Sequence, residues 1–342
     1  MGDSDDGERA VLRRAAFAMD SGLQFDLFDE GALRRLRAVT SIEPGFSIQN
    51  FDDIADETLA DLEILITGWG APAIGRDELA RLPRLRAIFH AAGTVKAHIA
   101  PEVWDGGILV TTAAAANAYP VAEYTLAMIL LAGKGVLPIA RDYRVDAALD
   151  VPGSYPTIGN YRRTVGIIGA STVGRLVIEL LTPFAFDILL YDPVIEETDP
   201  VLTRATRVEL AELFARSSIV SIHAPLLPET TGMVDAAQLA LLPRGATLIN
   251  TARAPIVNQA ALTTAVAEGR IRAILDVTDP EPLPLTDPLR SLPDALLTPH
   301  IAGALGNELH RLGESVLLEA ELFASGSPPA FPVYKSDLAA SA

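Results

Sequence analysis

The chain has no cysteine, which excludes disulfides, thiolate metal sites and cysteine nucleophiles together. Cations are scarce: 27 Lys and Arg stand against 44 Asp and Glu, a formal net charge of −17 over 342 residues. A nucleic-acid partner needs an excess of Lys and Arg to meet phosphates, so none is expected. A small anionic ligand stays open, because one Arg at contact distance outweighs a diffuse field. Long apolar runs are missing too, and the longest near-apolar stretch, Tyr124 to Gly133, is too short to span a bilayer. The opening residues MGDSDDGERA lack the basic and apolar regions of a signal peptide. A soluble cytoplasmic protein with no membrane partner is the expectation. No His pair has ligand spacing, so no metal site is expected. The 49% of residues that are hydrophobic suffice for about two domains with cores of their own.

Residues before about Ala15 read as a frayed acidic tail. From there apolar runs (AAFAM, EILIT, RAIFHAAG, GILVTTA) alternate with helix-like stretches (LRRLRAV, RDELARL, AEYTLAMILLAGK). Uniformly apolar strands alternating with helices indicate a parallel sheet covered on both faces. A second series starts at Thr164, with the strands TVGIIGA, DILLYD, SIVSIHA, ATLIN, RAILDV and LLTPH. Between the series, Val151 to Asn160 is turn-rich and reads as an exposed arm or linker. After His300 a long amphipathic helix follows, and its simplest packing returns the chain to the first domain, with a cleft between the domains. The segment after Pro328 reads as disordered.

The most informative stretch is Thr164 to Gly174, TVGIIGASTVG. A β-branched run breaks into a glycine-containing turn and passes straight into a helix, which aims backbone N–H groups at a phosphate. Gly169 and Gly174 fit the dinucleotide fingerprint; Ser171 replaces its middle glycine. Asp192, 18 residues past Gly174, ends the apolar strand ILLYD, where an acid hydrogen-bonds the ribose hydroxyls of NAD. Like charge on Asp192 disfavours the 2′-phosphate of NADP.

Three other strand ends carry chemistry. Arg253 follows ATLINTA, Asp276 ends RAILD with Glu281 in the Pro-rich loop beyond, and His300 sits in LLTPHIAG. Ligands bind at the C-terminal edges of parallel strands. Reducing a 2-keto acid requires a planar cation for its carboxylate, a proton donor near neutrality and an acid to orient that donor. Arg, His and Glu suit these tasks. Asp276 reads either as a strand-end cap or as a ligand contact. His223 reads as lining the cofactor cleft or as a locally bonded packing residue. Asn117 and Glu123 read as helix-start residues; His90, His98 and His310 carry no motif.

In the contexts NTARAPIV, LDVTDPEPLP and TPHIAG, and with VGIIGASTVGR, SIHAPLLPETTGMV and NAYPVAEYTLAMILLA, the chain resembles the D-isomer-specific 2-hydroxyacid dehydrogenases from about Leu65 to Phe323. The resemblance implies two doubly wound parallel-sheet α/β domains. A Rossmann NAD-binding domain at 133–299 is inserted into a flavodoxin-like substrate (catalytic) domain of 1–132 and 300–342. It implies NAD-dependent interconversion of a small D-2-hydroxy acid and its 2-keto acid. His300 is then the acid/base, Glu281 its partner, and Arg253 the holder of substrate carboxylate and carbonyl. Ala92, Gly93 and Thr94, in HAAGTVKAH, present backbone amides to the substrate. On the cofactor side it implies Gly169, Ala170, Ser171, Thr172, Val173 and Gly174 at the phosphates and Asp192 at the ribose. His223, Ala224, Pro225, Thr251 and Ala252 line the cleft, with Asp276 and His300 beside the nicotinamide, Asp276 at its carboxamide. A homodimer, formed around Val136 to Asn160, is implied as well. The chain departs from the family at Ser171, at Ala254 and Asn258–Gln259 where Gly and an Asp–Glu pair are common, and at Val95–Lys96 where the substrate loop usually has an Asp. Two other readings remain: oxidation of formate or phosphite, disfavoured because Glu281 stands where formate enzymes have Gln, and an NAD-sensing, corepressor-like binding protein.

Overall fold

The computed structural model describes residues 12–339, so the acidic segment through residue 11 lies outside the described residues. Two compact units emerge, one of residues 12–117 and 305–339 and one of residues 118–304.

The first unit holds five strands: β1 (Arg13–Ala18), β2 (Thr40–Ser47), β3 (Ile64–Thr67), β4 (Ala87–His90) and β5 (Leu109–Thr112). All pair in parallel, in the order β2-β1-β3-β4-β5, the flavodoxin-like arrangement. Every residue of β3 and β4 is buried, as apolar strands covered on both faces must be. Sequence patterning passes over β2 because Pro44 and Gly45 interrupt it. Its edge position tolerates them: proline has no N–H to give, and an edge strand needs only one ladder.

The helices Glu30–Val39 and Leu309–Ser325 pack together in this unit. Asp29 caps the first, its carboxylate accepting the Ala32 N–H at 2.8 Å. In the second, a Cβ on Gly313 would stand 1.9 Å from the Leu27 carbonyl oxygen. Alanine there would gain about 1 kcal/mol in helix propensity, but crowding a backbone carbonyl costs about 1–3 kcal/mol. We therefore expect Gly313→Ala to lower the urea midpoint, a net loss of up to about 2 kcal/mol. An unchanged or higher midpoint would show that the helix yields at no cost.

The segment beyond Pro328, read from sequence as disordered, is ordered through residue 339. The Phe331 carbonyl accepts the Thr112 N–H at 3.3 Å, the Val333 N–H donates to the Val110 carbonyl at 2.8 Å, and the Trp104 indole donates to the Val333 carbonyl at 2.7 Å. Glu319, 2% exposed, accepts the Phe331 N–H at 2.6 Å. Its order comes from backbone pairing along the open side of β5 and from Val333 and Leu338, which pack against the first unit's core.

The second unit holds β6 (Thr164–Ile168), β7 (Asp187–Tyr191), β8 (Thr206–Arg207), β9 (Ile219–Ile222), β10 (Thr247–Asn250), β11 (Arg272–Leu275) and β12 (Ala295–Leu297). They form one parallel sheet in the order β12-β11-β10-β9-β6-β7-β8, a Rossmann order whose chain reverses direction at β6/β9. Successive residues alternate between two cores: Val165, Ile167 and Ile249 join one, Ile168 and Leu248 the other. The helix Ala114–Gly133 gives Ala122 and Ile129 to the Val165 core. The second unit accordingly begins at Ala118, earlier than the division after residue 132 read from sequence.

Candidate active site

The turn after β6 is built by contacts too close for side chains. Gly169 has φ 94°, and a Cβ there would meet the Ala224 nitrogen at 2.7 Å; a Cβ on Gly174 would stand 2.0 Å from the Gly169 carbonyl oxygen. These two glycines let the helix Thr172–Leu181 press onto the strand end. Ser171, where a third glycine is usual, is the helix N-cap, its hydroxyl accepting the Gly174 N–H at 3.3 Å. Helix geometry leaves the Thr172 and Val173 N–H groups without intrahelical acceptors, pointing out of the N-terminus.

Asp192 lies beside this turn. Its carboxylate accepts the Ala170 N–H at 2.7 Å and the Val194 N–H at 3.0 Å. Each oxygen keeps a lone pair for a further donor. Arg175, one turn into the helix, is committed elsewhere: it donates to the Ala170 carbonyl at 2.8 Å and holds Asp199 by two bonds of 2.7 Å. An N-terminus with open N–H groups and an adjacent acid fits a dinucleotide in its donor and acceptor chemistry.

His223, left open between cleft and packing, is 4% exposed and bonds Ser221 Oγ through Nε2 at 2.9 Å. Burial pushes its pKa down to about 3, so the ring is a neutral packing group. Its backbone and that of Ala224 abut Gly169; Pro225 continues the same loop.

After β10, Asn250 shapes the next loop, its amide oxygen accepting the Ala252 N–H at 3.0 Å and its amide nitrogen donating to the Arg253 carbonyl at 3.0 Å. Thr251 is buried against Thr125, hydroxyl to hydroxyl at 3.1 Å. Arg253 donates from Nη1 to the Ala252 carbonyl at 2.7 Å. Burial pulls its pKa down, and the nearby Glu281 carboxylate opposes that pull.

His300 and Glu281, 19 residues apart, meet: Nδ1 lies 2.9 Å from Glu281 Oε1. Both side chains remain about half exposed, at 52% and 41%. The His300 backbone has φ 56°, a region that few residues other than glycine enter and that is costly enough to need external support. The support is Asp276, 1% exposed. Its carbonyl accepts the His300 N–H at 2.9 Å, while its carboxylate accepts the Thr298 hydroxyl at 2.6 Å and the Ile301 and Ala302 N–H groups at 2.8 Å each. Tyr124 completes the chain, its hydroxyl 2.8 Å from Thr298 Oγ1; with the Thr298 proton given to Asp276, the Tyr124 proton goes to Thr298. Asp276 therefore braces the His300 loop as well as ending its strand.

Sequence reasoning missed Tyr124 and Thr298, and singled out Gln259 only as a departure from the family. Gln259 donates from its amide to the Asp279 carbonyl at 2.6 Å and accepts the Asp279 N–H at 2.9 Å, tying down the loop that carries Glu281. An acid, usual in the family here, cannot make the first of these bonds. Asn258 caps its helix through the Ala261 N–H at 3.1 Å.

Within the first unit, Ala92, Gly93 and Thr94 follow β4, Ala92 buried and the other two half-buried. Beneath them His90 is 3% exposed, bonds Thr67 Oγ1 at 2.9 Å and the Thr94 backbone, and stacks on His98 with ring centroids 4.6 Å apart. Burial and then His98 push the His90 pKa down to about 3; burial takes His98 to about 4. Two neutral imidazoles thus underlie the loop. Val95, at the family's usual Asp position, joins the core.

Residues 126–302 match the family model described as D-isomer specific 2-hydroxyacid dehydrogenase, NAD binding domain. A glyoxylate reductase of Korarchaeum cryptofilum is 30% identical over 303 residues, covering 86% of this chain and 91% of that protein. A D-3-phosphoglycerate dehydrogenase of Mycobacterium tuberculosis is 29% identical over 258 residues, covering 75% of this chain and 48% of the relative. The chain spans about half the length of the D-3-phosphoglycerate dehydrogenases it matches. Among solved structures, a phosphoglycerate oxidoreductase from Rhizobium etli superposes with TM-score 0.80 at 25% identity, covering 95% of this chain and 99% of that one. A D-lactate dehydrogenase from Aquifex aeolicus, complexed with NAD and lactic acid, gives TM-score 0.68 at 25% identity, covering 92% and 96%.

Proposed function

Because the chain belongs to the D-isomer specific 2-hydroxyacid dehydrogenase family, we propose that it interconverts a small D-2-hydroxy acid and its 2-keto acid, with NAD as the redox partner. The 118–304 unit is the NAD-binding part and the other unit supplies the substrate loop at Ala92, Gly93 and Thr94. Bound NAD supplies hydride chemistry; Thr172 and Val173 N–H groups would hold its phosphates and Asp192 its adenosine ribose.

The observation that carries the reading is the His300–Glu281 pair at 2.9 Å, on a loop braced by Asp276. With Nδ1–H directed to Glu281, the transferable proton sits on His300 Nε2. In reduction, that proton goes to the carbonyl oxygen as it becomes a hydroxyl, and Glu281 stabilises the imidazolium beforehand. Arg253, partly desolvated, offers its planar fork to the substrate carboxylate and polarises the adjoining carbonyl.

The test is NADH oxidation on a panel of glyoxylate, hydroxypyruvate, pyruvate and bulkier 2-oxo acids, repeated with NADPH. We expect turnover on a small 2-oxo acid and kcat/KM at least about tenfold higher with NADH, because Asp192 repels a 2′-phosphate and Asp199 already neutralises Arg175. Tight NADH binding with silence across the panel would sink the dehydrogenase reading. A preference for NADPH would sink the coenzyme assignment alone.

A further inference from the structure

At the opposite edge of the second unit's sheet lies a recess whose charge runs against the rest of the chain. It has a volume of about 260 Å³ and is lined by Arg163, Arg244 and Arg272, with hydroxyls including Ser218 and Thr157 and no Asp or Glu. Arg163 precedes β6, Ser218 precedes β9, and Arg272 opens β11. The residues assigned above to catalysis, Arg253, Glu281 and His300, follow the C-terminal ends of β10, β11 and β12 in the same parallel sheet. Four residues at about 3.3 Å each separate the two edges by roughly 13 Å, so this recess is not part of that site.

In a protein of net charge −17, a recess lined by three guanidiniums calls for an explanation: Arg163 and Arg244 have no ion-pair partner among the described residues, and Arg272 pairs only loosely, at 3.7 Å, with Asp294 outside the lining. Arg163 is held rigidly: it donates to the Gly159 carbonyl at 2.5 Å, to the Thr157 carbonyl and to Ser218 Oγ at 3.2 Å. These acceptors are neutral, so they fix the guanidinium without cancelling its charge. Burial and the neighbouring Arg272 both push the Arg163 pKa down, as two close cations in a partly dry recess must. Arg272 donates to the Gly245 carbonyl at 2.9 Å, but its buried Nε has no hydrogen-bond acceptor; the nearest carboxylate oxygen, on Asp294, is 3.7 Å away. Asp294 is itself bonded by Arg141 at 3.1 Å, and Asp142 by Arg141 and Tyr155. Arg244 is exposed and has no hydrogen-bond or ion-pair partner among the described residues.

We propose that this recess binds a phosphate group, free or carried on a small phosphate monoester. A tetrahedral oxyanion accepts from several arginine forks and hydroxyls at once and relieves the repulsion between Arg163 and Arg272. The volume is roomier than a bare phosphate needs and leaves space for a short ester.

The experiment is thermal unfolding of the full chain in about 10 mM inorganic phosphate, or in glycerol phosphate, against chloride at matched ionic strength, with and without saturating NADH. A rise of about 3 °C is expected for either phosphate, persisting with NADH. Arg244→Glu should be at least as stable as wild type in chloride, since Arg244 supports no contact and the new carboxylate shares a recess with Arg163 and Arg272, and should lose the phosphate shift; Arg244→Lys should keep most of it. Calorimetric titration separates the sources: binding about tenfold tighter for the ester assigns the recess to an ester, and equal binding assigns it to free phosphate. No phosphate-specific rise would overturn the proposal. So would a rise that survives in Arg244→Glu or vanishes with NADH, which would place the anion at the helix starting at Thr172.

Discussion

Replacing His300 by asparagine is expected to lower turnover of the 2-oxo acid by about 10²–10⁴-fold, the usual contribution of a positioned general acid, with NADH affinity nearly unchanged. Asparagine is chosen because the residue has φ 56°, which Asn adopts more readily than most residues; the variant then removes the imidazole without also breaking the loop. The expected cofactor contacts lie chiefly at Ala170, the N-terminus of the helix Thr172–Leu181 and Asp192, remote in sequence from residue 300. Steady-state kcat together with NADH fluorescence titration checks both halves. Wild-type turnover would remove His300 from the mechanism, and a matching loss of NADH affinity would make its role one of cofactor binding.

The second large effect belongs to Asp276. Its carboxylate accepts three hydrogen bonds from the His300 loop in a setting 1% exposed. Asp276→Ala strands those donors, and each buried unpaired group costs about 1–3 kcal/mol. Release of the loop should lower the melting temperature and reduce kcat by about 10²-fold, since a misplacement near 1 Å costs that much. The decisive readout is a double-mutant cycle. If Asp276 acts by holding His300, then Asp276→Ala in the His300→Asn background should cost little further activity. Fully additive losses would mean a separate task, such as the nicotinamide contact that the family resemblance implies.

The parts of this molecule legible in its sequence are those with one dominant local signal. Buried strands such as ILIT and TVGII announce themselves by unbroken apolar character, and Gly169, Gly174 and Asp192 by spacing within one βαβ unit. The brace on His300 had no such signal. Its donors to Asp276 are a hydroxyl and two backbone N–H groups 22 to 26 residues downstream, and every residue has a backbone N–H. Gln259 was noticed only as a departure from the family; that its amide both gives to and takes from Asp279 depends on where a distant loop returns. The helix Ala114–Gly133 misled in another way: it is apolar on most faces, so its pattern did not say which core it would join.

The segment from Phe331 to Val333 bears on how the protein can be handled. It occupies the open flank of β5 with backbone bonds of its own, so the first unit presents no bare strand on that side. Trimming the chain back to Pro328, an inviting edit for anyone preparing a shorter version, would uncover the Thr112 N–H and Val110 carbonyl. It would leave a ready template for neighbouring molecules to add on to.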